Sequence, residues 1–215
     1  IPYKNNCFDC IFLVNVLHHM DEVTRHRTIK EALRVIKKSG YLFIFEHNPY
    51  NPIINVRSFG EDVELVTNLS NAFLRGVQDG GMIATAKHFP GHGNTDIDSH
   101  RDLPIISGNL ENLNATELAP FKSNIDNDIM SFMIGHLEVP AIEPLPKIPS
   151  TLSYNIVTDL LKKKMGFNGL VVTDAMNMHA ITNSYSTGEA SVLAIKAGND
   201  AILYPDDPEE SIKAI

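Results

Sequence analysis

Ile83-Ala84-Thr85-Ala86-Lys87-His88-Phe89-Pro90-Gly91-His92-Gly93-Asn94-Thr95-Asp96-Ile97-Asp98-Ser99-His100 begins as a short apolar run and opens into a loop crowded with reactive side chains. Between Lys87 and His100 lie one lysine, three histidines and two aspartates. Pro90, Gly91 and Gly93 cannot continue a strand or a helix, so regular structure is expected to stop there. A buried strand that empties into a polar loop is how α/β folds build a site.

On both sides of this stretch, strand-like and helical patterns alternate. Residues 8–16, 41–45, 82–86, 130–134, 170–173 and 201–204 read as buried strands. Residues 21–38, 61–78, 116–125, 154–165 and 188–197 read as helices, and another starts at Glu209. This alternation implies an α/β fold with a mainly parallel sheet. Lys87, His88, His136, Asp174, Asp206 and Asp207 all fall just past a strand-like run. Polar groups at the carboxyl ends of successive strands fit a (β/α)8 barrel, but about six strands are short of the eight it needs. The expected architecture is therefore an incomplete (β/α)8 TIM-type barrel. A Rossmann-like βαβ fragment precedes it, made by the first two strands and the helix between them.

The chain has 215 residues and a formal charge of −8. That balance argues against nucleic acid or an anionic membrane surface as the main partner. No run has transmembrane length and no signal peptide is visible, so the expected location is cytoplasmic. The first residues already read as the middle of a domain, and an earlier start is expected. Cys7 and Cys10 are spaced C-x-x-C. A zinc site needs two more good ligands, so both are expected simply to pack. No H-E-x-x-H or comparable spacing occurs, and neither a metal nor a cofactor is expected.

Three motifs carry a family resemblance: Arg57-Ser58-Phe59-Gly60-Glu61-Asp62, Lys87-His88-Phe89-Pro90-Gly91-His92-Gly93, and Val171-Val172-Thr173-Asp174-Ala175-Met176-Asn177-Met178. In that order they strongly resemble glycoside hydrolase family 3, and most closely its β-N-acetylhexosaminidase branch. The likeness covers about residues 51–215. Residues 1–50 look different. Asn15-Val16-Leu17-His18-His19 and Glu31-Ala32-Leu33-Arg34-Val35-Ile36-Lys37-Lys38-Ser39-Gly40-Tyr41-Leu42 resemble the later half of a class I S-adenosylmethionine-dependent methyltransferase. That family's glycine-rich loop and ribose-binding carboxylate lie upstream of such a stretch and are not present here. A nucleotide cradle needs both, so no methyl transfer is expected. The seam is expected near Asn48-Pro49-Tyr50-Asn51-Pro52-Ile53.

The resemblance assigns roles residue by residue. Asp174, which the residues alone would equally allow as a helix cap, becomes the nucleophile of a retaining glycosidase. Asp98-Ser99-His100 matches an unusual acid–base pair of this branch, a histidine held by an aspartate. The chemistry is sound: imidazole titrates at about pH 6.5, and a neighbouring carboxylate orients it. A Ser-His-Asp triad on Ser99 is disfavoured, because no nucleophile elbow is seen. Lys87 and His88 resemble the pair that hydrogen-bonds sugar hydroxyls, and Arg57 another sugar-binding position, with a surface ion pair as its plainer role. His92 and His136 are expected to support loops or line the pocket.

The implied partner is a glycan containing N-acetylglucosamine, of the kind found in peptidoglycan fragments. An inactive chimeric scaffold is the alternative, because the barrel's first half is missing. A methyltransferase remnant ranks third.

Overall fold

The computed structural model describes residues 3–14, 22–45, 59, 62–92 and 103–215. Arg57, Asp98, His100 and the expected seam lie outside them. The chain divides into two compact units, Ile1–Gly60 and Glu61–Ile215.

In the first unit, β1 (Phe8–Val14) pairs in parallel with β2 (Ile36–Phe45), and α1 (Glu22–Val35) joins them. The helix was expected to run through Lys38, yet it gives way to strand at Ile36. The reason is packing: Ile36 is buried and pairs with Phe8, while the Cys7 amide donates to the carbonyl of Val35. Lys37 then bonds Asp9 at 2.6 Å instead of serving a helix end. The register slips between Phe8↔Ile36 and Cys10↔Tyr41, so the Lys37–Gly40 stretch loops out of the pairing. Cys7 is exposed, not packed, and its thiol donates to the carbonyl of Lys4.

The second unit holds four parallel strands in the order β3 (Thr85–Phe89), β4 (Ser131–Ile134), β5 (Leu170–Ala175) and β6 (Ala201–Leu203). With all strands parallel, their carboxyl ends gather at one rim. The helices are α2 (Val63–Asp79), α3 (Leu110–Ala115), α4 (Leu118–Asp126), α5 (His179–Thr182), α6 (Thr187–Ala197) and α7 (Pro208–Ala214). A wide helix, Asn155–Lys164, precedes β5. Side-chain caps at Asp62, Asn109, Ser186 and Asp207 start α2, α3, α6 and α7. The helix expected over 116–125 is α4, and a further short helix, α3, precedes it because Asn109 caps a turn that ends at Thr116.

The core explains the strand positions. Phe132 and Ile134 of β4, Val171 of β5 and Phe89 of β3 are fully buried. Phe89, Phe121, Phe132 and Phe167 form one aromatic cluster, with ring centroids 4.6 to 6.0 Å apart. These spacings suit edge-to-face packing. A polar seam joins α2 to α4: Asn124 donates to Ser70 and Asn71, and Asn71 donates to Ser123. Among the described residues, no helix is long and apolar enough to cross a membrane.

Candidate active site

The site forms where β3 and β5 reach the rim. The strand expected over 82–86 runs on through Lys87 and His88 to Phe89. Phe89 is the reason: it sits in the aromatic cluster and draws the chain along the sheet edge before it can turn. Between Ala86↔Phe132 and Phe89↔Ile134, β3 carries one residue more than β4. Such a bulge re-aims a side chain, and here it falls at Lys87-His88. The Lys87–His88 and Phe89–Pro90 peptide bonds are both cis.

A matching irregularity occurs on β5. Between Val172↔Ala201 and Ala175↔Leu203, β5 carries one residue more than β6, at Thr173-Asp174. The buried Thr173 hydroxyl fills the gap by accepting the Leu203 amide at 2.9 Å. Asp174 thus lies at the end of the strand, not beyond it as expected.

The two bulged ends meet. His88 Nε2 lies 3.4 Å from Asp174 Oδ2, and both side chains are mostly shielded, at 13% and 16% exposure. With the imidazole protonated this is an ion pair, longer than the ~2.7–2.9 Å of a full charge-assisted hydrogen bond. The other carboxylate oxygen, Oδ1, accepts the Ala175 amide at 2.8 Å. β4 lies between β3 and β5 in the sheet, so His88 has to pass over its end. Gly135 permits that passage: a Cβ there would sit 3.0 Å from the His88 Cβ. On the loop side, Gly91 has φ +130° and closes a turn onto the His88 carbonyl at 2.8 Å. A Cβ at Gly91 would meet that of Glu117 at 2.6 Å, so only glycine fits.

Of the residues singled out in the sequence, the structure brings together His88 and Asp174. Lys87 is exposed on β3, and the His92 ring is 6.0 Å from that of His88, centroid to centroid. His136 supports the Ser150–Leu152 turn. It is fully buried, with Nε2 3.0 Å from the Ala175 carbonyl and Nδ1 2.7 Å from Thr151 Oγ1. Gly135, Thr151 and Thr173 escaped the sequence reading as site residues. A signal existed only for Gly135, a glycine directly after an apolar run. Among the described residues, no group of three or more metal-ligating side chains comes together. The arrangement offers a shielded carboxylate, fixed on one oxygen and faced on the other by an imidazole.

Comparison with known proteins bears on the family. Residues 44–215 match the glycosyl hydrolase family 3 N-terminal domain, and residues 1–44 match a methyltransferase domain. Beta-hexosaminidase A of Pseudoalteromonas piscicida is 36% identical over 168 residues, covering 74% of this chain and 28% of that protein. A beta-hexosaminidase of Nitrosomonas eutropha is 33% identical over 159 residues, covering 74% of this chain and 45% of its own length. The chain therefore spans less than half of either curated relative. The solved structure of a family 3 beta-N-acetylglucosaminidase from Paenibacillus sp. str. FPU-7 superposes with a TM-score of 0.74 at 43% identity. That superposition covers 79% of this chain and 33% of that one. With most of its length matched by one family domain, this chain belongs to glycosyl hydrolase family 3.

Proposed function

We propose that the chain supplies the nucleophile-bearing part of a retaining β-N-acetylhexosaminidase, acting on terminal β-linked N-acetylglucosamine such as peptidoglycan fragments carry. Asp174 attacks the anomeric carbon, the glycosidic bond breaks, and a glycosyl-enzyme ester forms. His100, oriented by Asp98, gives its proton to the departing oxygen. It then takes one from the water that hydrolyses the ester and releases a sugar of unchanged anomeric configuration. Lys87, His88 and Arg57 donate hydrogen bonds to the sugar hydroxyls. One observation carries this reading: the shielded approach of His88 Nε2 to Asp174 Oδ2 at the strand rim. The names of the relatives supply the sugar.

A second reading, a catalytically inactive scaffold, draws on the same comparison. The chain covers 28% and 45% of its curated relatives, and among the described residues β3 pairs with a strand on one side only. A sugar misplaced by about 1 Å can cost 100-fold in rate. Turnover of a chromogenic N-acetyl-β-glucosaminide decides between them. Activity that falls at least ~10⁴-fold in Asp174→Ala supports the glycosidase, the loss expected when a nucleophile is removed. Equal background rates in both proteins leave the scaffold.

A further inference from the structure

His136 has the strongest claim to an unassigned role. A backbone carbonyl only accepts, so at 3.0 Å from the Ala175 oxygen the Nε2 atom of His136 carries a proton. On the other side of the ring, Nδ1 meets the Thr151 hydroxyl, which also reaches the Gly135 carbonyl at 2.9 Å. Asn199 donates to the Thr151 carbonyl at 2.8 Å and holds that turn from below. One imidazole thereby ties the end of β4, the Ser150–Leu152 turn and the end of β5.

The residue it grips matters. Ala175 is held through its carbonyl by His136, and through its amide it holds Asp174 Oδ1. The bulge at Thr173-Asp174 interrupts the β5–β6 ladder just there. Pairing resumes only at Ala175↔Leu203, past the bulge. There the chain is held by the Thr173 hydroxyl on the Leu203 amide, the Met176 amide on the Leu203 carbonyl, and His136.

We propose that His136 is a positioning residue for Asp174: its Nε2–H clamps the Ala175 carbonyl, restrains the backbone of that residue, and so sets the direction in which the carboxylate bonded to the Ala175 amide faces. This rests on the role proposed for Asp174 above. The ring is fully buried, so it acts through Asp174 and not on the sugar.

The test compares wild type, His136→Gln and His136→Asn. Glutamine can place an N–H near the Nε2 position; asparagine reaches only as far as Nδ1. Amide exchange at Ala175 is expected to quicken about five- to tenfold in His136→Asn, the size of one net hydrogen bond. It should stay near wild type in His136→Gln, and amides of β4 such as Met133 should not change in either. Where turnover is measured, kcat is expected to fall about 10- to 100-fold in His136→Asn with little change in KM, the usual cost of losing an orienting partner. His136→Gln should restore most of it.

Unchanged exchange at Ala175 in His136→Asn would overturn the inference. Equal loosening of the whole sheet in both variants would also do so, since it reports packing alone. Should the variants fail to fold, imidazole nitrogen resonances of the wild-type protein decide: a proton on Nε2 supports the clamp, and its absence there defeats it. Loss of the glycosidase reading shows separately, as a wild-type rate equal to that of Asp174→Ala, and leaves the exchange result standing.

Discussion

Both units pair parallel strands across a helix, but the contacts described in them differ in exposure. Around β3, β4 and β5 the organising contacts are buried: four phenylalanines, His136 and Thr173. Among the described residues of the first unit, Ala32, Val35 and Ile36 are buried, while the polar contacts reach water. Arg34 bonds both oxygens of Glu31, the Tyr3 carbonyl and the Asn5 side chain, while its own side chain stays 34% exposed. An aromatic pair described in that unit, Tyr3 against Phe8, has Tyr3 54% exposed. A contact that water can replace costs little to lose, whereas a buried one leaves a hole or an unsatisfied group. The His88–Asp174 pair lies among contacts of the buried kind.

Phe132→Ala breaks the comparison at its strongest point. The ring has no exposed surface and touches the rings of Phe89, Phe121 and Phe167. Its removal is expected to cost about 3–5 kcal/mol, read from the denaturant midpoint of the Glu61–Ile215 unit. Phe89 precedes the Pro90-Gly91 turn and follows His88, so the His88–Asp174 spacing is expected to loosen in the same variant. Tyr3→Ala is the matched control and should move stability by about 0.5 kcal/mol or less. Equal losses in the two variants would show that burial does not separate the units.

A smaller effect is expected from Gly135→Ala. The added Cβ would lie 3.0 Å from that of His88 and 3.4 Å from Leu137 Cδ1, so one neighbour must move by a few tenths of an ångström. Overpacking of this kind costs about 1–3 kcal/mol. If the structure yields by shifting His88, activity falls further than stability does. If it yields at the Leu137 side chain, stability falls alone. Measuring both on one sample tells which contact is the stiffer.

Much of this was open to reading in the chain itself. The alternation of buried runs and amphipathic helices specifies parallel α/β structure, and the motifs around His88 and Asp174 locate the rim. Two strands run further than the pattern implies: Lys87, His88 and Asp174 read as loop because they are polar, yet buried Phe89 and the Thr173 hydroxyl carry the ladders past them. The strand expected over 201–204 stops one residue sooner, at Leu203. The helix-to-strand change at Ile36 was hidden because Lys37, Lys38 and Gly40 mimic a helix end. What no local pattern could give is His136 as a cross-strand clamp. Its partners, Thr151 and Ala175, are 15 and 39 residues away, and periodicity carries no information about a bond over that span.

The smallest expected effect belongs to the exposed hub and has a definite sign. The Arg34 guanidinium holds the Glu31 carboxyl down from an ordinary 4.5 to about 2. A carboxyl whose folded value lies below its unfolded value binds fewer protons in the folded state. Its contribution is therefore complete above pH 4.5 and fades as the pH falls towards 2. Water surrounds this pair, so the change in stability is expected to be slight and to shrink with added salt. A carboxyl-carbon NMR titration of Glu31 reads the midpoint directly, and Arg34→Gln should move it part of the way back towards the ordinary range. A midpoint already ordinary in the wild-type protein would mean that the hub is open in solution. The contrast between the units would then be sharper still, with one held by fixed contacts and the other by transient ones.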